Sequence, residues 1–185
     1  MKNIFVRRAD LSDAADILKI TREAFTGYAK KAGAAETSPA GAVIAALDET
    51  VFDTERDIKE KFVFIAEVEN SADINASGSI KNANSPAPAA AGSVRLQIFK
   101  NETGGKTAYL SRFAVCPKYQ GGSVGRILMD AVDQFAGEQD IKQITLHTAS
   151  KIAQTVRFYY SLGFYTESVS AEKGYLRALM RKEYV

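Results

Sequence analysis

Short apolar runs and amphipathic stretches alternate along this chain, and their periods predict its elements. Residues 4–8 are rich in β-formers and read as a strand. Asp10 or Ser12 then offers a helix cap, and Ala14, Ile17, Leu18, Thr21, Phe25 and Tyr28 recur at helical spacing. Residues 32–50 are small and interrupted by Pro39 and Gly41, with a short helix expected over 43–47, and the charged stretch 54–61 reads as a helix. Residues 62–68 and 94–99 are strand-like. Between them, 70–91 is dominated by Ser, Asn, Ala and Pro, a composition that buries too little apolar surface to offset the entropy of ordering. It is expected to be an enlarged hairpin loop between adjacent antiparallel strands.

The second half is more regular. Residues 109–115 form the next expected strand, ended by Pro117. A helix should begin near Ser123, because Val124, Ile127, Leu128, Ala131 and Phe135 make one buried stripe, with Gly137 as its stop. Residues 143–148 alternate as a strand with Ile144 and Leu146 inward. Ser150 is the expected cap of a helix running through Leu162, and Gly163 its left-handed end. Residues 164–169 and 175–184 close the pattern as two strands.

Composition narrows the function classes. The chain has 185 residues, 46% of them hydrophobic and 25% charged, as expected of one soluble domain. A net charge of +2 is too small to argue for a nucleic-acid partner, and none is expected. No apolar run has the length of a membrane span, so no membrane partner is expected, and the default location is cytoplasmic. Cys116 and His147 are the only residues of their kinds, so neither a cysteine-based zinc site nor a Ser-His-Asp triad is a good reading, and no metal is expected.

The densest chemistry lies in 110–129: a buried strand, a turn, a glycine-rich loop (Gln120-Gly121-Gly122-Ser123-Val124-Gly125-Arg126) and a helix start. The N–H groups of a first helical turn lack carbonyl partners, the helix dipole is positive there, and glycines allow close approach. Together these make a cradle for a pyrophosphate. The loop lacks the Gly-Lys-Ser/Thr ending of a Walker A motif and the G-x-G-x-x-G spacing of a dinucleotide fold.

This stretch resembles motif A of the GNAT acetyltransferases. Phe113, Val115 and Pro117 match the strand and its exit, and Gln120, Ser123 and Gly125 fall on loop positions, with Ser123 where glycine is usual. Downstream, Arg157-Phe158-Tyr159-Tyr160-Ser161-Leu162-Gly163-Phe164 resembles the family's second signature, with Tyr159 at the tyrosine position and Ile152 where an Asn is common. The resemblance implies an α+β fold (an α/β three-layer sandwich): a mixed, mostly antiparallel sheet of about seven strands flanked by helices, with a splayed parallel pair. It would occupy 1–185 as a single domain.

The resemblance further implies acetyl-CoA as cosubstrate. Backbone groups of Phe113, Ala114 and Val115 would pair with its pantetheine arm, and N–H groups of Gln120, Gly121, Gly122, Ser123, Val124, Gly125 and Arg126 would hold its pyrophosphate, with Arg126 or Lys118 adding charge. Tyr159 would be the acid at the CoA sulfur, with Tyr160 as competitor. For the base, Tyr109 stands where many relatives have Glu, which leaves Glu67, water through Ser111, or His147. The implied partner is a small-molecule or peptide amine, and a homodimer fits the family as well. Asp48, Glu49, Asp53 and Glu55 could draw a cationic amine, although a solvated acidic helix end is the better account of them. An acyl-CoA-binding module without catalysis is the alternative.

Overall fold

The computed structural model of the protein describes residues 2–34, 44–70, 88–100, 102, 104–171 and 173–184. Strand β1 (Lys2–Arg8) leads through a 3-10 turn (Leu11–Asp13) into helix α1 (Ala14–Ala32). Asp10 and Asp13 cap each other's backbone at that turn, and Gly33 ends α1 in the left-handed region at φ 66°. Helix α2 (Val51–Glu60) begins earlier than its charge pattern suggests, because Thr50 and Asp53 form a capping box. The short helix expected over 43–47 is a turn in its described part, closed by the Leu47 N–H on the Ile44 carbonyl at 3.0 Å.

Strands β2 (Phe62–Asn70), β3 (Ala89–Lys100) and β4 (Lys106–Val115) form an antiparallel meander. Helix α3 (Val124–Glu138), strand β5 (Ile141–Ala149), helix α4 (Ala153–Tyr160) and strands β6 (Tyr165–Ser170) and β7 (Arg177–Glu183) follow. The seven strands make one sheet in the order β1-β2-β3-β4-β5-β7-β6. Only β4 and β5 run parallel, joined by the α3 crossover. This is the mixed, mostly antiparallel sheet that the resemblance implies.

Further boundaries differ from the pattern, three of them instructively. The helix α3 runs through Gly137, and its exit turn is made instead by Asp140 at φ 56°. Ser150 caps nothing: its N–H and hydroxyl both donate to the Leu176 carbonyl, and α4 starts after Ile152 without a side-chain cap. Of the stretch expected as a loop, 70–91, residue 70 still belongs to β2 and residues 89–91 to β3. Ala89, Ala90 and Gly92 pair with Val68, Glu67 and Ala66, and residues 71–87 lie outside the described residues. Ala-Ala-Ala-Gly has little strand propensity, but here it is central strand. Gly92 must be small because Val124 and Leu128 of α3 lie close above it.

Helices α3 and α4 cover one face of the sheet, where Leu128, Met129 and Val132 pack on Leu96, Ile144, Leu146 and Met180. Each fully buried side chain of this size contributes about 1.5–3 kcal/mol. Helices α1 and α2 cover the other face, with Ile17 on Val63 and Ile65, and Ile20 on Ala114 and Cys116. Across the sheet edge, Arg7 bridges Asp13 and Glu67 at 2.8 Å each, tying the α1 entry to β1 and β2. Among the described residues no helix is long and apolar enough to cross a membrane.

Gly92 marks the tightest point of this packing. A Cβ there would lie 2.9 Å from both the Ala114 carbonyl oxygen and Leu128 Cδ1. Gly92→Ala is expected to destabilise the protein by about 1–3 kcal/mol, the range for an overpacked core, read as a lower denaturant midpoint at unchanged slope.

Candidate active site

The site starts from a parting of two strands. The strands β4 and β5 pair in parallel from Lys106 and Ile141 only as far as Leu110 and Leu146. Beyond this point β4 carries a bulge: Ser93 faces Ala114 and Arg95 faces Ser111, so β4 has one residue more than β3. Arg112 absorbs it at φ 50°, a left-handed conformation that costs a non-glycine residue roughly 1–2 kcal/mol. The bulge bends β4 away from β5 and opens a fork.

A buried ionic network holds the bulge. Arg112 Nε donates to Glu49 Oε2 at 2.7 Å. Glu49 also accepts from Arg95 Nη2, and from Thr54 Oγ1 at 2.7 Å. Arg95, only 1% exposed, donates its other arm to Asp57 Oδ2 at 2.6 Å, and Asp57 pairs with Lys61 at 2.7 Å. Burial pushes the Glu49 carboxyl up, but its bonds to Arg95, Arg112 and Thr54 outweigh that and hold it below the ordinary carboxylate range. Glu49 is thus structural, and so is Asp53, the capping residue of α2. Neither is a free acid for drawing in an amine.

The fork opens into a cavity of about 540 Å³ between α1, β4, β5, α4 and the loop before α3. Gly121 (φ 77°), Gly122 and Gly125 line one end. Ser123, the residue before α3, makes no side-chain cap bond, and the N–H groups of Val124, Gly125 and Arg126 have no carbonyl one turn below them. A Cβ on Gly125 would press to 3.3 Å on the Phe113 ring. This bare, dipole-positive helix start suits the pyrophosphate of a CoA molecule, and the unpaired edge of β4 suits an extended amide-bearing arm.

The other end is aromatic. Tyr159, 5% exposed, lines the cavity and packs among Phe113, Phe158 and Phe164. Burial lifts its phenol far above its ordinary value, and Tyr28 and Tyr109 add to this, so the group stays protonated. The Tyr28 hydroxyl accepts the Ala149 N–H at the end of β5. It ties α1 to the strand where β4 has left it. Tyr109 OH lies 3.0 Å from His147 Nδ1, and His147 lines the cavity. Burial and the neighbouring Tyr28 push the Tyr175 phenol up to about 12.

Of the residues singled out in the sequence, Tyr159, Phe113, Val115, Gln120, Gly121, Gly122 and Gly125 line this one cavity. Ala114 points to the opposite face, against Ile20 and Cys116, and Val124 is buried in the core, so only their backbones are available to a ligand. Ser123 is exposed. Gln120 Nε2 donates to the Val115 carbonyl at 2.9 Å, and Arg126 is tied to Ser161 Oγ at 3.1 Å. Glu67 is spent on Arg7 on the sheet surface and is not at the site. Tyr160 points outward to Thr166. Ile152 forms an apolar wall, and Cys116 Sγ faces Glu23 at 3.7 Å. Sequence reasoning missed Arg112, whose backbone conformation has no local signature, and Arg177, which reaches Tyr109 from β7. Among the described residues, no group of His, Cys, Asp and Glu could hold a metal ion.

One forked parallel pair, with a glycine-rich helix start beside the fork, is the distinguishing feature of this sheet. The model of the acetyltransferase (GNAT) family matches residues 46–164, and the chain belongs to that family. Solved structures share the fold. The PaiA N-acetyltransferase from Thermoplasma acidophilum, in complex with coenzyme A, superposes with a TM-score of 0.72 at 17% identity, covering 98% of this chain and 99% of that one. A GNAT-family acetyltransferase from Streptococcus pneumoniae gives 0.66 at 15% identity over 99% and 100%. Arabidopsis thaliana Naa50, in complex with the bisubstrate analogue CoA-Ac-MVNAL, gives 0.62 at 14% identity over 98% and 99%. No curated protein sequence matches the chain.

The Glu49 network sets a pH dependence. A carboxyl whose folded value lies below its unfolded value stabilises the fold above the unfolded value, and that contribution fades as pH falls through the folded one. Stability should therefore decline on acidification below about pH 4.3. Glu49→Gln leaves Arg95 and Arg112 short of a counter-charge. It should cost about 3 kcal/mol at neutral pH and give a shallower acid limb in denaturant titrations across pH 2–7.

Proposed function

We propose that this protein transfers an acetyl group from acetyl-CoA to a primary amine of a small molecule or peptide, by direct attack of the amine on the thioester. The observation that carries the reading is Tyr159: a buried phenol, kept protonated, at the fork between β4 and β5 and opposite the glycine-rich helix start. Family membership supports acetyl-CoA as donor.

In this reading the backbone of Phe113, Ala114 and Val115 pairs with the pantetheine arm, and the N–H groups of Gln120 to Arg126 hold the pyrophosphate. The neutral amine attacks the thioester carbon, forming the C–N bond and a tetrahedral oxyanion. The attacking nitrogen gives a proton to the Tyr109 oxygen as the Tyr109 hydroxyl proton moves to His147 Nδ1, 3.0 Å away. The C–S bond then breaks, and the departing thiolate takes the Tyr159 proton. Solvent returns a proton to Tyr159 and removes one from His147. The acidic strand residue common in relatives is thus replaced by a phenol–imidazole pair. This pair also weighs against a catalytically silent acyl-CoA module, since a mere binder needs neither group.

The test is CoA release with polyamines, aminoglycosides, amino acids and short peptides as acceptors. With the best acceptor, Tyr159→Phe should lower kcat about 100-fold, with acetyl-CoA affinity within a few-fold of wild type by calorimetry. Equal turnover by the variant would remove Tyr159 from the acid role. Tight cofactor binding without turnover across the panel would favour the silent module. His147→Ala should lower kcat by a similar factor at unchanged cofactor affinity if the imidazole receives the proton.

A further inference from the structure

The acceptor side of the fork carries uncompensated positive charge. Arg177 stands on β7 opposite Ala149 of β5, on the sheet face that Tyr109 and His147 share. Its guanidinium reaches the Tyr109 phenol, a neutral partner, while its Nε is buried without any hydrogen-bond acceptor. Among the described residues Arg177 forms no ion pair with a carboxylate. Glu167 and Glu183 are engaged by Arg181, and Glu67 by Arg7. Glu49 is saturated by Arg95, Arg112 and Thr54.

The ionic network behind the bulge adds to the imbalance. It joins three cations (Lys61, Arg95 and Arg112) to two carboxylates (Glu49 and Asp57), a surplus of one positive charge. Its outlet is Arg112, which lines the cavity with its terminal nitrogens free of any carboxylate. Lys31 of α1 lines the same cavity. Among the described residues of the lining the one carboxylate is Glu23, which sits against Cys116. A buried donor without an acceptor costs about 1–3 kcal/mol, a cost that a matching ligand removes.

Resting on the acetyl-transfer reading above, we infer that the preferred acceptor is an amine that also carries a carboxylate, which binds between Arg177 and Arg112 while the amine faces the Tyr109–His147 pair. Free amino acids, and peptides with an acidic residue beside the terminal amine, share this chemistry. Polyamines and aminoglycosides, which bring only positive charge, are rejected by the same two guanidinium groups.

The experiment compares acceptors that differ only in the anion: an amino acid against its carboxamide, and a short peptide with aspartate beside its N-terminal residue against the same peptide with asparagine. The free acid of at least one pair should be preferred about 10–100-fold in kcat/KM, the worth of a charge-assisted hydrogen bond, with most of the difference in KM. The preference should weaken at high salt. Arg177→Gln should shrink the acid-to-amide ratio about 10-fold and Arg177→Lys should retain part of it, with acetyl-CoA affinity as the check on folding. Which pair responds separates a free amino acid from a peptide. Carboxamides or polyamines used as well as the acids would overturn this inference and leave acetyl transfer standing. A ratio untouched by Arg177→Gln would overturn the assignment of the anion to Arg177. Bound acetyl-CoA with no amine accepted would defeat both readings at once.

Discussion

Everything functional in this protein depends on two parallel strands ceasing to pair. A parallel ladder that continued to Val115 would leave no cavity, no open strand edge and no place for a phenol. The parting follows from one extra residue in β4, accommodated by Arg112 in a conformation that arginine does not favour. The strain persists because the surroundings fix it: Glu49 takes the Arg112 side chain, and Glu49 is itself fixed by Arg95 and Thr54.

The network that secures the bulge is unusual for its depth. A completely buried arginine would be prohibitively costly alone, and here two carboxylates from the α2 region neutralise it through both terminal nitrogens, leaving its Nε without an acceptor. The arrangement couples α2, β3 and the bulge of β4 into one unit, although these segments lie far apart in sequence. On the other strand of the fork, the Tyr28 hydroxyl gives the Ala149 N–H the partner that β4 no longer supplies. Both lips of the opening are therefore held from α1 and α2, the helices that would also border an incoming acceptor.

The sequence was most legible where local chemistry acts alone. Helix α3 announces itself by its stripe, Gly163 by its place after α4, and the cradle by Gly121, Gly122 and Gly125. The sheet face was legible from Ile144 and Leu146. Legibility failed where distant residues decide. The 89–92 run reads as loop because its strand character comes from Val68, Val115 and the overlying Leu128, not from its own side chains. Glu49 and Asp53 read as surface acids, since nothing nearby in the chain reveals Arg95. Glu67 looked like a base from its strand position, yet Arg7 claims it across the β1–β2 ladder. The Tyr109–His147 pair joins residues that only the parallel register brings together.

The aromatic crowding at the fork gives the protein an optical property as well as a chemical one. The chain contains no tryptophan and eight tyrosines. Four of these, Tyr28, Tyr109, Tyr159 and Tyr175, are neighbours around the fork. Near-ultraviolet dichroism and intrinsic emission of the whole molecule are thus weighted toward this one corner. For half of its tyrosines, light absorbed by the folded protein is light absorbed at the fork.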